Sequence, residues 1–254
     1  MPLQMSRIDI RFFDDLGIFL PHYQRMQWIQ LDINGTPSIK HIIESLGIPH
    51  TEVGLVIVNN QTTNLDQIAQ DCDRVLVFSH RHVGQSLRLG KQGLDPSPLF
   101  ILDNHLGKLA RYLRILGFDV TYRNDYTDEQ LALLSNQQGR ILLTRDRHLL
   151  MRKIVQLGYC LRSLEPRIQI LEVLDRYHLR GQIQPFKRCL DCNYELISID
   201  KEEILPQLEP LTMKYYDEFH ICPNCNRIYW KGSHYEHMLR DVVDWLEESN
   251  TSTR

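Results

Sequence analysis

Residues 100–146, FILDNHLGKLARYLRILGFDVTYRNDYTDEQLALLSNQQGRILLTRD, read as strand, helix, strand, helix, strand. Phe100–Leu102 is a short apolar run. Leu106, Leu109, Ala110, Leu113 and Leu116 then recur on one helical face, with Asn104 as the expected N-cap and Gly117 as the stop. Asp119–Tyr122 gives a second strand. Thr127 and Gln130 have the spacing of a capping box, which predicts a helix over Asp128–Gln138 ending at Gly139. Ile141–Leu143 is continuously apolar, as expected of a strand covered on both faces. Strands alternating with helices imply parallel strands joined by crossovers, an α/β sheet with flanking helices.

Acidic residues mark the places where these elements change: Asp103, Asp125, Asp128 with Glu129, and Asp146. Open α/β sheets bind ligands beyond the carboxyl ends of their strands. Several carboxylates gathered at one edge do not all stay ionised without a cation, and hard divalent ions such as Mg²⁺ or Mn²⁺ prefer oxygen ligands. The pattern points to metal-dependent phosphoryl transfer, and within that class to a nuclease. Acids in a first helical turn are also favoured by the helix dipole alone, so Asp128 and Glu129 suit a structural role as well. Lys108, Arg111 and Arg114 recur every third residue, either as a phosphate-binding stripe or as solvated face. Arg145 and Arg147 flank Asp146 directly after the third strand, where they suit a phosphate.

The pattern continues with a helix expected over 147–157, a strand over 159–162 and a helix over 168–178. Further on, Cys189-Leu190-Asp191-Cys192 and Cys222-Pro223-Asn224-Cys225 form two CxxC pairs separated by 29 residues. Two such knuckles predict a zinc ribbon whose Cys₄ set, Cys189, Cys192, Cys222 and Cys225, leaves no open coordination position and is therefore structural. Tyr229, Trp230, Lys231 and His234 combine aromatic and basic character, which suits base stacking. A last helix is expected over 238–248.

The N-terminal part has another pattern. Residues 7–13 and 28–33 alternate as half-buried strands. Ser38 caps a helix over 39–46, and 53–58 and 74–78 are strands with a short helix between them. This is one helix on a mixed sheet. The segment 79–98 contains Gly84, Gly90, Gly93, Pro96 and Pro98 without apolar period, which makes it a linker beginning at His80-Arg81-His82. The expected division is 1–80, a linker over 81–98, 99–187, and 188–254.

Net charge is −3, but residues 100–187 hold 14 Lys/Arg against 9 Asp/Glu. A basic segment that also carries the acid cluster suits a polyanionic substrate. The sequence contains no run of about 18 apolar residues and no secretory leader pattern, so a cytoplasmic protein with no membrane span is expected.

The stretches LDNHLGKLARYLRILGFDV, TDEQL and GRILLTRDRHLL, followed in order by the CxxC pairs, resemble the PIN-like RNase domain found at the C-terminus of the Mut-seven exonuclease family. The resemblance spans about residues 99–240. The N-terminal element order resembles the ubiquitin-like β-grasp family, which includes small sulfur carriers; such carriers end in a free Gly-Gly tail, whereas this chain runs on through Phe78–Gly84. An interaction or RNA-positioning module with its own protein partner is expected there. The family resemblance implies a metal-dependent RNase whose acids correspond to Asp103, Asp128 (beside Glu129) and Asp146. The alternative is an RNA-binding adaptor with weak or no catalysis.

Overall fold

A computed structural model of the chain describes residues 6–80 and 98–251. The expected linker, 81–98, lies outside the described residues except for Pro98.

The N-terminal part runs β1 (Ser6–Phe12), β2 (Ile29–Ile33), α1 (Ile39–Ser45), β3 (Val53–Val58), β4 (Gln61–Thr63) and β5 (Arg74–Ser79). The five strands make one sheet in the order β2-β1-β5-β3-β4, with β1 and β5 parallel and the other pairs antiparallel. This is the β-grasp arrangement. Strand alternation puts Ile8, Ile10 and Phe12 of β1 inside, where they meet Val75, Val77, Val56 and the α1 residues Ile39, Ile42 and Ile43. Each such side chain contributes about 1.5–3 kcal/mol by leaving water. Ser38 caps α1 as expected, its Oγ accepting the His41 N–H at 3.2 Å. One expectation fails: β4 stands where the pattern predicts a short helix. Asn59 and Asn60 both have positive φ (48° and 68°), so they turn β3 straight back into a hairpin.

The middle of the chain runs β6 (Leu99–Leu102), α2 (Gly107–Ile115), β7 (Asp119–Tyr122), α3 (Asp128–Gln138), β8 (Ile141–Thr144), α4 (Arg147–Leu150), β9 (Gly158–Cys160) and α5 (Pro166–Arg176). Its sheet has the order β7-β6-β8-β9, and the β6–β7 and β8–β9 pairs are parallel. Two elements depart from expectation. Asn104 does not cap an α-helix; it opens a 3-10 turn, Asn104–Leu106, and α2 starts only at Gly107. A Cβ on Gly107 would stand 2.7 Å from the Tyr122 hydroxyl, which reaches past it to donate to the Asn104 carbonyl. The predicted helix 147–157 is a single turn, because the chain must already be extended at Leu157, whose carbonyl accepts the Leu142 N–H.

The C-terminal part runs β10 (Ile197–Ile199), α6 (Lys201–Ile204), α7 (Pro210–Tyr215), β11 (Phe219–Ile221), β12 (Ile228–Trp230) and α8 (Ser233–Thr251), with a sheet β10-β11-β12. The last helix begins at Ser233, ahead of its predicted start. Among the described residues no helix is long and apolar enough to cross a membrane.

By internal packing the chain divides into two compact units, Met1–Asp95 with Asp128–Cys160 and Pro96–Thr127 with Leu161–Arg254. Within the first unit the turn His50–Glu52 meets β9. Glu52 is 2% exposed, and its carboxylate accepts the Cys160 N–H at 2.6 Å. His50 donates from Nε2 to the Val155 carbonyl at 2.8 Å, and its Nδ1 faces Glu44 Oε1 at 2.7 Å. Backbone of the β9 region is thus satisfied by side chains of the β-grasp part.

Candidate functional site

Cys189, Cys192, Cys222 and Cys225 converge, with their sulfurs all within 4.8 Å of one another and no disulfide among them. The Cys189–Cys225 and Cys192–Cys222 sulfurs are 3.6 Å and 3.3 Å apart. Four thiolates around one Zn²⁺ at about 2.3 Å lie about 3.8 Å from each other, so the set fits the ion. The two knuckles have the same local build. In each, the residue after the second cysteine is an Asn in the left-handed region, Asn193 (φ 71°) and Asn226 (φ 57°). In each, that Asn N–H returns to the first cysteine's carbonyl, Asn193 to Cys189 at 3.0 Å and Asn226 to Cys222 at 2.9 Å. Burial acts to raise Cys189, but the Cys192 N–H and the Tyr229 hydroxyl outweigh it and hold its pKa at about 6, while burial and neighbouring sulfurs push Cys225 up to about 12. Crowded thiols do not all ionise alone, and a bound cation removes that conflict.

The first knuckle is fastened to the α/β layer. Asn193 Oδ1 accepts the Val120 N–H at 2.8 Å, and its Nδ2 donates to Asp119 Oδ1 at 2.9 Å. Arg188 adds an ion pair to Asp119 at 3.2 Å. Arg114 is the centre of this joint. It is 5% exposed, and its guanidinium donates twice to the Val120 carbonyl and once each to the carbonyls of Leu190 (3.0 Å) and Asp191 (2.8 Å). Arg114 therefore does not belong to the expected phosphate stripe. The signal is in the sequence: it lies four residues after the buried Ala110, on the same helical face. Arg114→Met would leave three carbonyls without their donor and should lower stability by roughly 3 kcal/mol, a fall in Tm of about 10 °C on thermal melting.

The ribbon also redefines the aromatic and basic residues beyond the second knuckle. The Tyr229 hydroxyl donates to Cys189 Sγ and accepts the Leu190 N–H, both at 3.1 Å, so its polar end is engaged with the first knuckle. Lys231 pairs with Glu218 at 3.1 Å. Trp230 packs tilted against Phe219 and Tyr216.

Asp103 and Asp125 belong to one compact unit, and Asp128, Glu129 and Asp146 to the other. In the unit that holds β6 and β7, Asp103 directly follows β6 and is 9% exposed. Its carbonyl takes the Leu106 N–H at 3.0 Å, and its carboxylate makes no capping bond to the turn. Burial raises the pKa of Tyr122, and the Asp103 charge adds to that rise. Lys108 and Arg111 are exposed on α2. Asp125 is exposed and clasped by Arg123, Nε to Oδ1 at 2.9 Å and Nη2 to Oδ2 at 2.6 Å; hydrogen bonding from Arg123 holds its pKa below the usual carboxylate value.

In the other unit, Asp146 caps α4. Its Oδ1 accepts the His148 N–H at 2.8 Å, and its own N–H donates to Thr144 Oγ1 at 2.9 Å. Asp128 opens α3 with Glu129 exposed beside it, and Asp128 Oδ2 lies 3.8 Å from Arg152 Nη2. Arg145 is exposed. Arg147 extends to the Phe19 carbonyl at 3.5 Å, a contact with the β-grasp part that no sequence pattern signals.

Comparison with known proteins gives two family matches. One, described as Mut7-C RNAse domain, covers residues 98–242; the other, described as Mut7-C ubiquitin, covers residues 5–83. No curated protein matches the chain. Among solved structures, the crystal structure of H. volcanii small archaeal modifier protein 1 is similar over 29% of this chain and 97% of that one, at 13% identity and a TM-score of 0.24.

Proposed function

Because the chain belongs to the Mut7-C RNAse domain family, we propose that it hydrolyses RNA phosphodiester bonds at a centre of Mg²⁺ or Mn²⁺ held by Asp103, Asp128 and Asp146. The observation that carries this reading is local to each strand: Asp103 directly follows β6, which pairs parallel with β7, and Asp146 comes two residues after β8, which pairs parallel with β9. The donors are all carboxylate oxygens, which suits a hard cation. Such an ion, when bound, supplies an acidified water and neutralises phosphate charge.

The chain's own groups hold and orient. Asp146 accepts the His148 N–H through Oδ1, which orients that oxygen. Lys108 and Arg145, both exposed, offset charge on the phosphate oxygens. Glu129 stands ready as an additional acid beside Asp128, whereas Asp125 orients Arg123. No protein nucleophile is required. The four thiols hold a structural Zn²⁺, and thiol ligands of this kind fit a reducing compartment such as the cytoplasm. RNA is the partner of the C-terminal part, and a protein is the partner of the β-grasp part.

A binding-only reading is favoured by one observation, the pairing of Asp128 with Arg152. End-labelled single-stranded RNA separates the two. Incubated with Mn²⁺, with Mg²⁺ or with no added divalent ion, it should give products only with metal, and their sizes report whether attack starts from an end. RNA retained on a gel but uncut under every condition would establish the adaptor instead.

A further inference from the structure

An open pocket of about 350 Å³ lies on the ribbon, bounded by Arg111 of α2, Tyr216, Arg227 and Trp230, and Ser233 and Tyr235 at the start of α8. Building on the RNase reading, we infer that this pocket is a subsite for one nucleotide of single-stranded RNA, with the base against the aromatic wall and a phosphate on Arg111.

Three features converge on that chemistry. The first is the wall: Trp230 and Tyr216 stand with ring centroids 6.5 Å apart and tilted, both half-buried, so their orientation is set before a ligand arrives. Any base offers a π-face to such a wall, and stacking tolerates sequence. The second is charge. Arg227 is engaged with Asp191, but Arg111 is exposed and makes no ion pair among the described residues. It is the cation of this pocket left for an incoming anion. The third is the start of α8, where Gly232 and Ser233 open a helix running to Thr251. The N–H groups and dipole of a helix start favour a phosphate. The volume is at the small end for ligand pockets, which fits one nucleotide. A duplex is disfavoured, because its base faces are already stacked.

None of the acids proposed for the metal centre lines the pocket, so binding and cleavage can be tested separately. The test uses the full zinc-loaded chain carrying Asp146→Asn, so that RNA survives, and a short fluorescein-labelled oligouridylate read by anisotropy. Arg111→Glu and Trp230→Ala should each weaken binding by about tenfold, while Trp230→Phe keeps near-parental affinity because a ring remains. Unchanged affinity in Arg111→Glu and Trp230→Ala overturns the subsite, and it leaves the nuclease reading intact if the wild-type chain still cuts. Equal losses in Trp230→Ala and Trp230→Phe with no effect of Arg111→Glu also overturn it, since that pattern reports disturbed packing. Pocket-dependent binding in a chain whose wild type never cuts would sustain the subsite and remove the nuclease.

Discussion

Cys222→Ser is expected to leave the purified chain without zinc and with an unfolded C-terminal quarter. Cys222 is fully buried, and its sulfur is 3.3 Å from that of Cys192, so a serine cannot be accommodated by turning outward. Its carbonyl and N–H close the second knuckle through Asn226 and Arg227, and β12 follows directly from that loop. Apparent binding energies of structural zinc sites are on the order of 10–16 kcal/mol, larger than the whole stability of most domains. Emission spectrometry should give about one zinc per wild-type chain and almost none for the variant. Limited proteolysis should then cut within 188–232 while the β-grasp part stays resistant. A variant that keeps full zinc content would rule out the Cys₄ assignment. Cys225→Ser should be milder, since Cys225 is exposed.

The second large effect is Asp146→Asn, which should lower the cleavage rate by about a thousandfold or more while leaving the thermal melt almost unmoved. The reason lies in the two jobs of this side chain. As an N-cap it needs only an oxygen to accept the His148 N–H, and asparagine caps as well as aspartate. In the proposed metal centre it would need the charge, which asparagine lacks. Asp146→Ala removes both and should add a stability loss of about 1 kcal/mol. Asp125→Asn is the contrast: it disturbs an exposed pair with Arg123 and should leave most activity in place. Full cleavage by Asp146→Asn, measured on end-labelled RNA with Mn²⁺, would end the case for this acid.

What the sequence discloses, and what it hides, follows from the range of the interactions. Helix α3 lies over the predicted residues because its start and stop signals, the Thr127–Gln130 spacing and Gly139, are local. The β-grasp strands are legible because alternation is local too. The cysteine set is legible because two CxxC pairs at this spacing have one dominant chemical use, a four-thiolate zinc site. The departures arise where distant parts of the chain decide. Helix 147–157 is cut to one turn by the pairing of Leu157 with Leu142, which no local pattern records. Arg114 has the spacing of a basic stripe, yet its partners are carbonyls of Leu190 and Asp191, beyond the reach of any window. Glu52 and His50 carry no sequence signal for the same reason, since their partners are Cys160 and Val155. The hairpin at Asn59-Asn60 is different: the two left-handed asparagines are a turn signal, and only the strand that follows them escapes local pattern, being three residues long.

The contact between Glu52 and the Cys160 N–H has a practical side. β9 ends its strand order, and a sheet's last strand offers bare amide groups to any other chain it meets. A shortened protein beginning at residue 98 would lose the carboxylate that occupies this amide and the imidazole that holds the Val155 carbonyl. Such a fragment should express poorly and self-associate, and its defects would report on colloidal behaviour before they reported on any missing partner. If the fragment behaves so, the β-grasp part shields this edge, and deletion studies should replace its surface residues rather than remove it whole.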